Sequence, residues 1–375
     1  MRIGIDARFY GPMGKGLGRY VQKLIKYLEK IDRQNDYFIF LRKENFKDYQ
    51  PRNPRFKKVL ADCKWYSLKE QITIPFKIWQ YKIDLMHFPH FNAAVFSPCK
   101  FIVTIHDLII TKFPTARATT LGPFLYKIKW IGYGLIIHLA VKRAEKIIAV
   151  SNFTKKELIN YFKIKPDKIV VTYEAANEES EEKESLANST AVQFLMPDKP
   201  YLLYVGNVYP HKNLENLLKA FKILSKQNDL RLVLVGKEDY FYKRLKVCAD
   251  ELDLGDKIIF TGFVKDEDLK LFYENALIYV FPSFCEGFGL PGLEAMNYEL
   301  PVAASRNSSL PEIYGAAAIY FNPDDIHDMA EKIGQLIKSK ELRENLIKKG
   351  LERVKKYSWQ KCAEQTLEIY KKYER

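Results

Sequence analysis

The stretch ALIYVFPSFCEGFGLPGLEAM (Ala276–Met296) changes character twice. Ala276–Phe281 is a short apolar run of the kind that forms a strand buried on both faces. Cys285–Leu290 concentrates glycine, which suits a loop leaving the strand's carboxyl end, and Pro291 fits the first position of a helix, where its missing N–H costs nothing. Glu286 then falls on the loop and Glu294 in the first helical turn. Strand, glycine turn and helix make the repeating unit of an open α/β sheet. Such sheets bind ligands outside the carboxyl ends of their strands, where a helix start offers N–H groups suited to phosphate. The two carboxylates cannot serve phosphate, because like charges repel, but each accepts well from vicinal hydroxyls such as those of a sugar. A sugar diphosphate resting on the glycine turn between two acids meets both conditions. A capping glutamate plus an exposed loop acid is the plainer alternative.

Outward from this stretch the same alternation fills the chain. RIGIDA (Arg2–Ala7), YFIFL (Tyr37–Leu41), DLMHF (Asp84–Phe88), FIVTIHD (Phe101–Asp107), KIIAVS (Lys146–Ser151) and KIVVTY (Lys168–Tyr173) read as strands. Most are separated by helical spacing such as Tyr20–Leu28 and Phe153–Phe162. The rhythm restarts with YLLYVG (Tyr201–Gly206), LRLVLVG (Leu230–Gly236), KIIFTG (Lys257–Gly262), the opening run, PVAAS (Pro301–Ser305) and AIYFN (Ala318–Asn322). This predicts an α/β protein with two mostly parallel sheets wrapped by helices. At 375 residues the chain exceeds one ordinary domain. Residues 174–199, acidic and poor in apolar side chains, are the expected linker between domains at 1–173 and 200–356. Three helices should end the chain, the last capped by Ser358.

Charge is uneven. Residues 1–172 carry 32 Lys+Arg against 13 Asp+Glu, a net +19, and residues 173–375 carry 28 against 33, a net −5. A basic half suits a solvated face, an anionic membrane or nucleic acid. No recognised nucleic-acid-binding module is present, so nucleic acid is not expected as a partner. Residues 121–144 are aromatic and apolar, yet Lys127 and Lys129 leave an uncharged run of only twelve residues, too short to span a bilayer. The segment reads either as a core helix or as one lying in the headgroup region with Trp130 and Tyr133 interfacial. Five scattered cysteines with no Cys-x-x-Cys pair, and an MRIGIDARF start unlike a signal peptide, favour a reducing cytoplasm.

Other motifs fill in the chemistry. GPMGKGLGRY (residues 11–20) fails the phosphate-loop pattern, because Gly16 follows Gly14-Lys15, and it fails G-x-G-x-x-G as well. Arg42 rather than an acid ends the second strand, so a dinucleotide cofactor is disfavoured. What remains is a backbone cradle for substrate or a plain surface loop. Lys212, just after the first strand of the second domain, can neutralise a diphosphate, or is by itself an ordinary solvated lysine. His106 and Asp107 end a strand at an active-site address, or form a core histidine with its aspartate partner. Asp266-x-Asp268 reads as a helix N-cap with first-turn acids, and His87 and His90 lack a third ligand, so no metal is expected.

Taken in order, GKGLGRY, TIHDL, IIAVSNFTKKEL, YVGNVYPHKNL, TGFV, the Glu286–Glu294 element and SSLPEIYG resemble glycosyltransferase family 4 (glycosyl transferases group 1) over almost the whole chain. The resemblance implies the GT-B fold, two facing Rossmann-like domains with a C-terminal helix (357–375) crossing back onto the N-terminal, acceptor-binding domain. It implies that Glu294 binds ribose hydroxyls of a nucleotide sugar and Glu286 contacts the transferred sugar. Backbone N–H groups across Gly287, Phe288, Gly289 and Leu290 would lie near sugar and diphosphate. Lys212 would offset leaving-group charge, Gly16 and Gly18 would approach the diphosphate, Gly262, Phe263 and Val264 would border the base, and His106 would face the donor sugar. Asn207 stands in the donor site where many relatives have arginine, and His211-Lys212 where close ones have Arg-Lys. The function implied is that of a retaining glycosyltransferase needing no metal and no cofactor. Its donor is a nucleotide-diphosphate sugar, GDP-mannose first, and its acceptor a glycan or lipid-linked glycan of cell-surface polysaccharide assembly. It would be cytoplasmic, with peripheral contact at the anionic inner membrane face. A nucleotide-sugar isomerase of the same fold and a non-catalytic basic membrane- or nucleic-acid-binding protein are the alternatives.

Overall fold

A computed structural model describes residues 1–11, 14–113, 123–176 and 196–374. Most of the expected 174–199 linker and the first two residues of the 121–144 segment lie outside them. Contacts divide the chain into two units, Met1–Glu174 with Ser358–Arg375, and Ala175–Tyr357.

The first unit is a seven-stranded sheet of β1 (Arg2–Asp6), β2 (Asp36–Leu41), β3 (Phe56–Leu60), β4 (Leu85–Phe88), β5 (Lys100–Ile105), β6 (Lys146–Ala149) and β7 (Ile169–Val171). The order is β3-β2-β1-β4-β5-β6-β7, and every pairing is parallel. Its helices are α1 (Lys15–Ile31), α2 (Glu70–Gln80), the short α3 (Ile109–Lys112), α4 (Pro123–Arg143) and α5 (Asn152–Phe162). Strand side chains alternate between two buried layers. Phe38, Phe40, Met86, Phe88, Phe101 and Val103 pack with Ile74 and Ile78 of α2 and with Ile137, Ala140 and Val141 of α4. The central strands are covered on both faces, which is why they read as continuous apolar runs rather than alternating ones. Strand β3 escapes that reading because it is an edge: FKKVL exposes Lys57 or half-exposes Lys58 between apolar residues, a common way to keep an edge from pairing with another chain.

The second unit is a six-stranded sheet of β8 (Tyr201–Val205), β9 (Arg231–Val235), β10 (Ile258–Gly262), β11 (Ile278–Phe281), β12 (Val302–Ser305) and β13 (Ala318–Phe321). Its order is β10-β9-β8-β11-β12-β13, again parallel throughout. Helices α6 (Leu214–Leu224), α7 (Tyr240–Glu251), α8 (Asp266–Asn275), α9 (Leu290–Asn297), the short α10 (Leu310–Tyr314), α11 (Ile326–Lys338) and α12 (Lys340–Val354) follow the strands. Asp266, Glu267 and Asp268 occupy the first turn of α8, whose N-cap is Lys265, so they complement the helix dipole rather than cap it. Among the described residues no group of three or more His, Cys, Asp or Glu side chains is placed to hold a metal ion, and no helix is long and apolar enough to cross a membrane.

The last helix, α13 (Trp359–Lys371), starts at Ser358, whose hydroxyl accepts the Lys361 N–H, and it belongs to the first unit, where it packs on α1. A buried polar chain fastens it there. Tyr370 Oη lies 2.6 Å from His87 Nδ1, His87 Nε2 lies 2.8 Å from Thr104 Oγ1, and Thr104 lies 3.2 Å from Tyr20 Oη of α1. Burial holds the His87 imidazole down to about 3, so it is neutral and structural. Trp359 is 1% exposed, with its ring 6.1 Å from Tyr20. Trp359→Ala is expected to destabilise the first unit by about 3–5 kcal/mol, the cost of emptying an aromatic core site, read as a lower denaturation midpoint.

Candidate active site

The strand order of the second sheet reverses between β8 and β11, so the loops leaving these neighbours diverge and open a crevice at their carboxyl ends. The loop after β8 carries Asn207 and a 3-10 turn, Pro210–Lys212; the loop after β11 carries Glu286. Lys212 Nζ lies 2.6 Å from Glu286 Oε1, both side chains being largely buried. The backbone holds the pair in place. Phe284 N–H donates to His211 O at 2.8 Å, and the Asn213 amide, at a left-handed φ of 60°, donates to Pro282 O at 3.1 Å and Pro323 O at 2.7 Å. Burial and the neighbouring Lys212 ammonium push His211 down to about 4, so it is neutral where an arginine would be charged.

The glycine turn is tied down by its carbonyls. Ser309 Oγ lies 3.0 Å from both Glu286 O and Phe288 O, Tyr314 Oη donates to Gly289 O at 2.6 Å, and Ser308 Oγ accepts the Glu286 N–H at 3.0 Å. Gly289, at φ 106°, caps α9 in a conformation that favours glycine. The helix opens at Leu290, with Pro291 second, which places Glu294 in its second turn rather than its first. Glu294 is 9% exposed, and Tyr273 Oη lies 3.3 Å from its Oε2. Gly262 ends the edge strand β10 at φ 73°, its N–H donating to Tyr242 Oη at 2.8 Å; beyond it Phe263 is 72% exposed and Val264 buried. Asn207 and Ser283, one in each of the two loops, have a buried side-chain oxygen with no partner, Oδ1 and Oγ respectively. Asn207, Lys212, Glu286–Leu290, Glu294 and Gly262–Val264 thus all stand on one unit, at or just beyond the carboxyl edge of its sheet.

His106, Gly16 and Gly18 belong to the other unit. Gly16 and Gly18 lie in the first turns of α1 instead of a free loop. Gly18 is needed for packing: a Cβ there would meet Gly11 O at 2.0 Å. At Gly16 a Cβ would meet nothing within 4 Å. His106 directly follows β5, and its hydrogen-bond partners lie away from Asp107, whose carboxylate accepts the Ile109 N–H at 2.9 Å. His106 Nδ1 lies 2.9 Å from Glu174 Oε1 and Nε2 2.9 Å from Pro89 O. With an acceptor beside each nitrogen, the surroundings favour the protonated imidazole. Burial opposes this, but the Glu174 carboxylate and the Pro89 carbonyl outweigh it and raise the pKa. Sequence reasoning missed Glu174, which is 68 residues away and reads as the start of an acidic linker.

Residues 14–180 match the family model for Glycosyltransferase Family 4, and residues 188–353 the model for Glycosyl transferases group 1. The chain is 31% identical to the O-antigen chain mannosyltransferase B of Escherichia coli over 72% of its own length and 70% of that protein. It is 30% identical to the O-antigen chain mannosyltransferase RfbU of Salmonella typhimurium over 60% of its length and 62% of that protein. Among solved structures, sucrose-phosphate synthase from Thermosynechococcus elongatus superposes with a TM-score of 0.78 at 22% identity, covering 99% of this chain and 98% of that one. Anabaena HepE in complex with UDP and glucose gives 0.72 at 15% identity, covering 99% of each chain. At these identities the structures establish the fold.

Two substitutions test the geometry. A Cβ at Gly292 would meet Tyr314 Oη at 2.3 Å and displace the ring that holds the Gly289 carbonyl. Gly292→Ala should therefore lower stability by about 1–3 kcal/mol in a thermal melt. Because the folded His106 pKa is raised, its pairing contributes stability fully below about pH 6.5 and loses it as pH climbs through the raised value. Glu174→Gln should bring the His106 titration, followed by NMR, to lower pH.

Proposed function

The chain belongs to glycosyltransferase family 4, the glycosyl transferases group 1, and from that premise we propose that it transfers mannose from GDP-mannose, with retention, to a glycan or lipid-linked acceptor during assembly of a cell-surface polysaccharide. The observation that carries this reading is the Lys212–Glu286 pair at the switch point of the second sheet, with Glu294 nearby on α9. An incoming diphosphate is a stronger partner for an ammonium than one carboxylate is. Lys212 then turns to the phosphates and frees Glu286 to accept from the sugar hydroxyls. Glu294 takes the ribose hydroxyls, and the turn from Gly287 to Leu290 lines the diphosphate. Phe263, exposed beside Gly262 and Val264, covers the base.

The chemistry follows from charge. The bond between the sugar carbon and the phosphate oxygen breaks, leaving positive charge on the sugar and negative charge on the diphosphate. The acceptor hydroxyl bonds the same face of that carbon, and its proton passes to the departing phosphate oxygen. In this reading Lys212 and the start of α9 supply the compensating positive charge without a metal or cofactor. The relatives named for O-antigen chains support mannose and a polysaccharide product. A lipid-linked acceptor would bring the protein to an anionic membrane at the cytoplasmic face, in keeping with the basic N-terminal half.

A thermal-shift screen of GDP-, UDP- and ADP-sugars tests the reading. GDP-mannose should stabilise by about 2.7 kcal/mol at a hundredfold excess over its Kd. Lys212→Ala and Glu286→Gln should each lower kcat/KM about 10²–10³-fold, and Glu294→Ala should act mainly on KM. No shift with any nucleotide sugar, or release of an epimerised sugar nucleotide without transfer, would sink it.

A further inference from the structure

Helix α2 is apolar on two opposite sides. Ile74 and Ile78 are buried against the sheet. On the other side Leu68, in the turn entering the helix, and Ile72, Phe76 and Trp79 are 87%, 73%, 55% and 69% exposed. Their spacing of four, four and three residues places them on one stripe. Scattered exposed leucines need no explanation, but four large apolar side chains in register do. Helix α4 covers the same face of the sheet, since its Ile137, Ala140 and Val141 share a core with Ile74 and Ile78, and its Trp130, Ile131 and Leu135 are 43%, 56% and 57% exposed. Between the helices runs the segment carrying Phe96, itself 65% exposed. Gln71 ties that segment to α2 through Ala93 O at 3.0 Å and Val95 N at 2.9 Å, and Arg143 ties it to α4 through Val95 O.

Charge narrows the choice of occupant. Across residues 63–144 there are 11 Lys and Arg against three acids. Of these acids, Glu70 is fully buried on Arg8, Asp107 accepts the Ile109 N–H at 2.9 Å, and Asp84 accepts the Arg2 N–H at 2.7 Å. Lys64, Lys69 and Lys82 stand exposed along the stretch that carries the stripe. A second copy of the chain would set lysine against lysine, whereas an anionic bilayer suits both the apolar stripe and its basic surround.

We propose that α2, with α4 beside it, is an anionic-phospholipid docking face, its stripe inserted at the headgroup boundary and its lysines on the phosphates. This rests on the lipid-linked acceptor reading and names the surface it would use. Glu70 fixes the start of α2 to Arg8 at the carboxyl end of β1, so the docked helix is coupled rigidly to the substrate-side edge of its sheet.

Co-sedimentation of the full chain with phosphatidylcholine vesicles, with and without phosphatidylglycerol, tests this. Binding should require phosphatidylglycerol and weaken with salt. The variant Ile72→Ser/Phe76→Ser/Trp79→Ser should lose it about tenfold or more while keeping the wild-type melting temperature and its shift with the sugar nucleotide. Independently of that variant, wild-type tryptophan emission should move to the blue on vesicle addition, with a smaller change in Trp79→Phe. Absence of binding to the phosphatidylglycerol vesicles, undiminished binding by the triple variant, or a dimer in light scattering that the triple variant dissolves would overturn the proposal. If no sugar nucleotide binds but vesicle binding follows the stripe, the transfer reading falls and the docking face stands. If donor binding holds without stripe-dependent vesicle binding, only the docking face falls.

Discussion

The pairing of Lys212 with Glu286 in a largely desolvated crevice is the constraint around which the second unit is organised. Removing two opposite charges from water is costly, and removing one partner of such a pair costs more than the pair contributes. Hydrophobic residues of similar size would make a more stable protein. The pair is set in a network of the left-handed Asn213, the Phe284–His211 backbone bond, and the Ser309 and Tyr314 hydroxyls on the carbonyls of the turn. Fixing the carbonyls orients the peptide planes, and a preorganised loop loses little entropy when a ligand arrives.

The first unit has its own buried charges. Fully buried Arg8 bridges Asp6 at 2.7 Å and Glu70, whose carboxylate also accepts the Asn92 amide at 2.7 Å. His106 bridges Glu174 and Pro89. Both networks lie where β1 and β5 end, and each fastens a distant segment, the start of α2 in one case and the end of the unit's main chain segment in the other. Such arrangements cost stability, and their compensation comes from the apolar layers beneath them.

The fold was legible because a parallel sheet covered on both faces writes its strands as unbroken apolar runs, and glycine and proline mark the turns between them. The edge strand β3 was not legible, since two lysines interrupt its apolar residues, Lys57 in solvent and Lys58 half-buried on the Phe46 and Tyr49 carbonyls. The candidate residues of the second unit could be read together because a loop and a helix start are local in sequence. Glu174 could not, as its role depends on a histidine brought near only by folding. The 121–144 segment shows the same limit. Its Trp130 is exposed, but Tyr133 turns inward, its ring 5.0 Å from Phe91 and its hydroxyl 2.7 Å from Thr111, so it is no interfacial residue. The larger apolar stripe, on α2, went unread because its inner and outer faces are both apolar and no polar period marks which side meets water.

The replacements in the donor crevice bear on how charge is managed there. Asn207 and a neutral His211 stand where the family resemblance leads one to expect arginine, so in the proposed reading a larger share of the compensation for a diphosphate would fall on Lys212 and the start of α9. Lys212 is already matched by Glu286, so in the proposed reading a diphosphate would not simply add an anion to a waiting cation; it would exchange one anion for another. The net gain per contact would be smaller than for a free ammonium, but the released carboxylate would be left beside the hydroxyls that the proposal assigns to it. A crevice built this way favours a ligand that carries both groups, phosphate and diol, over one that carries phosphate alone, because only the former satisfies both members of the pair.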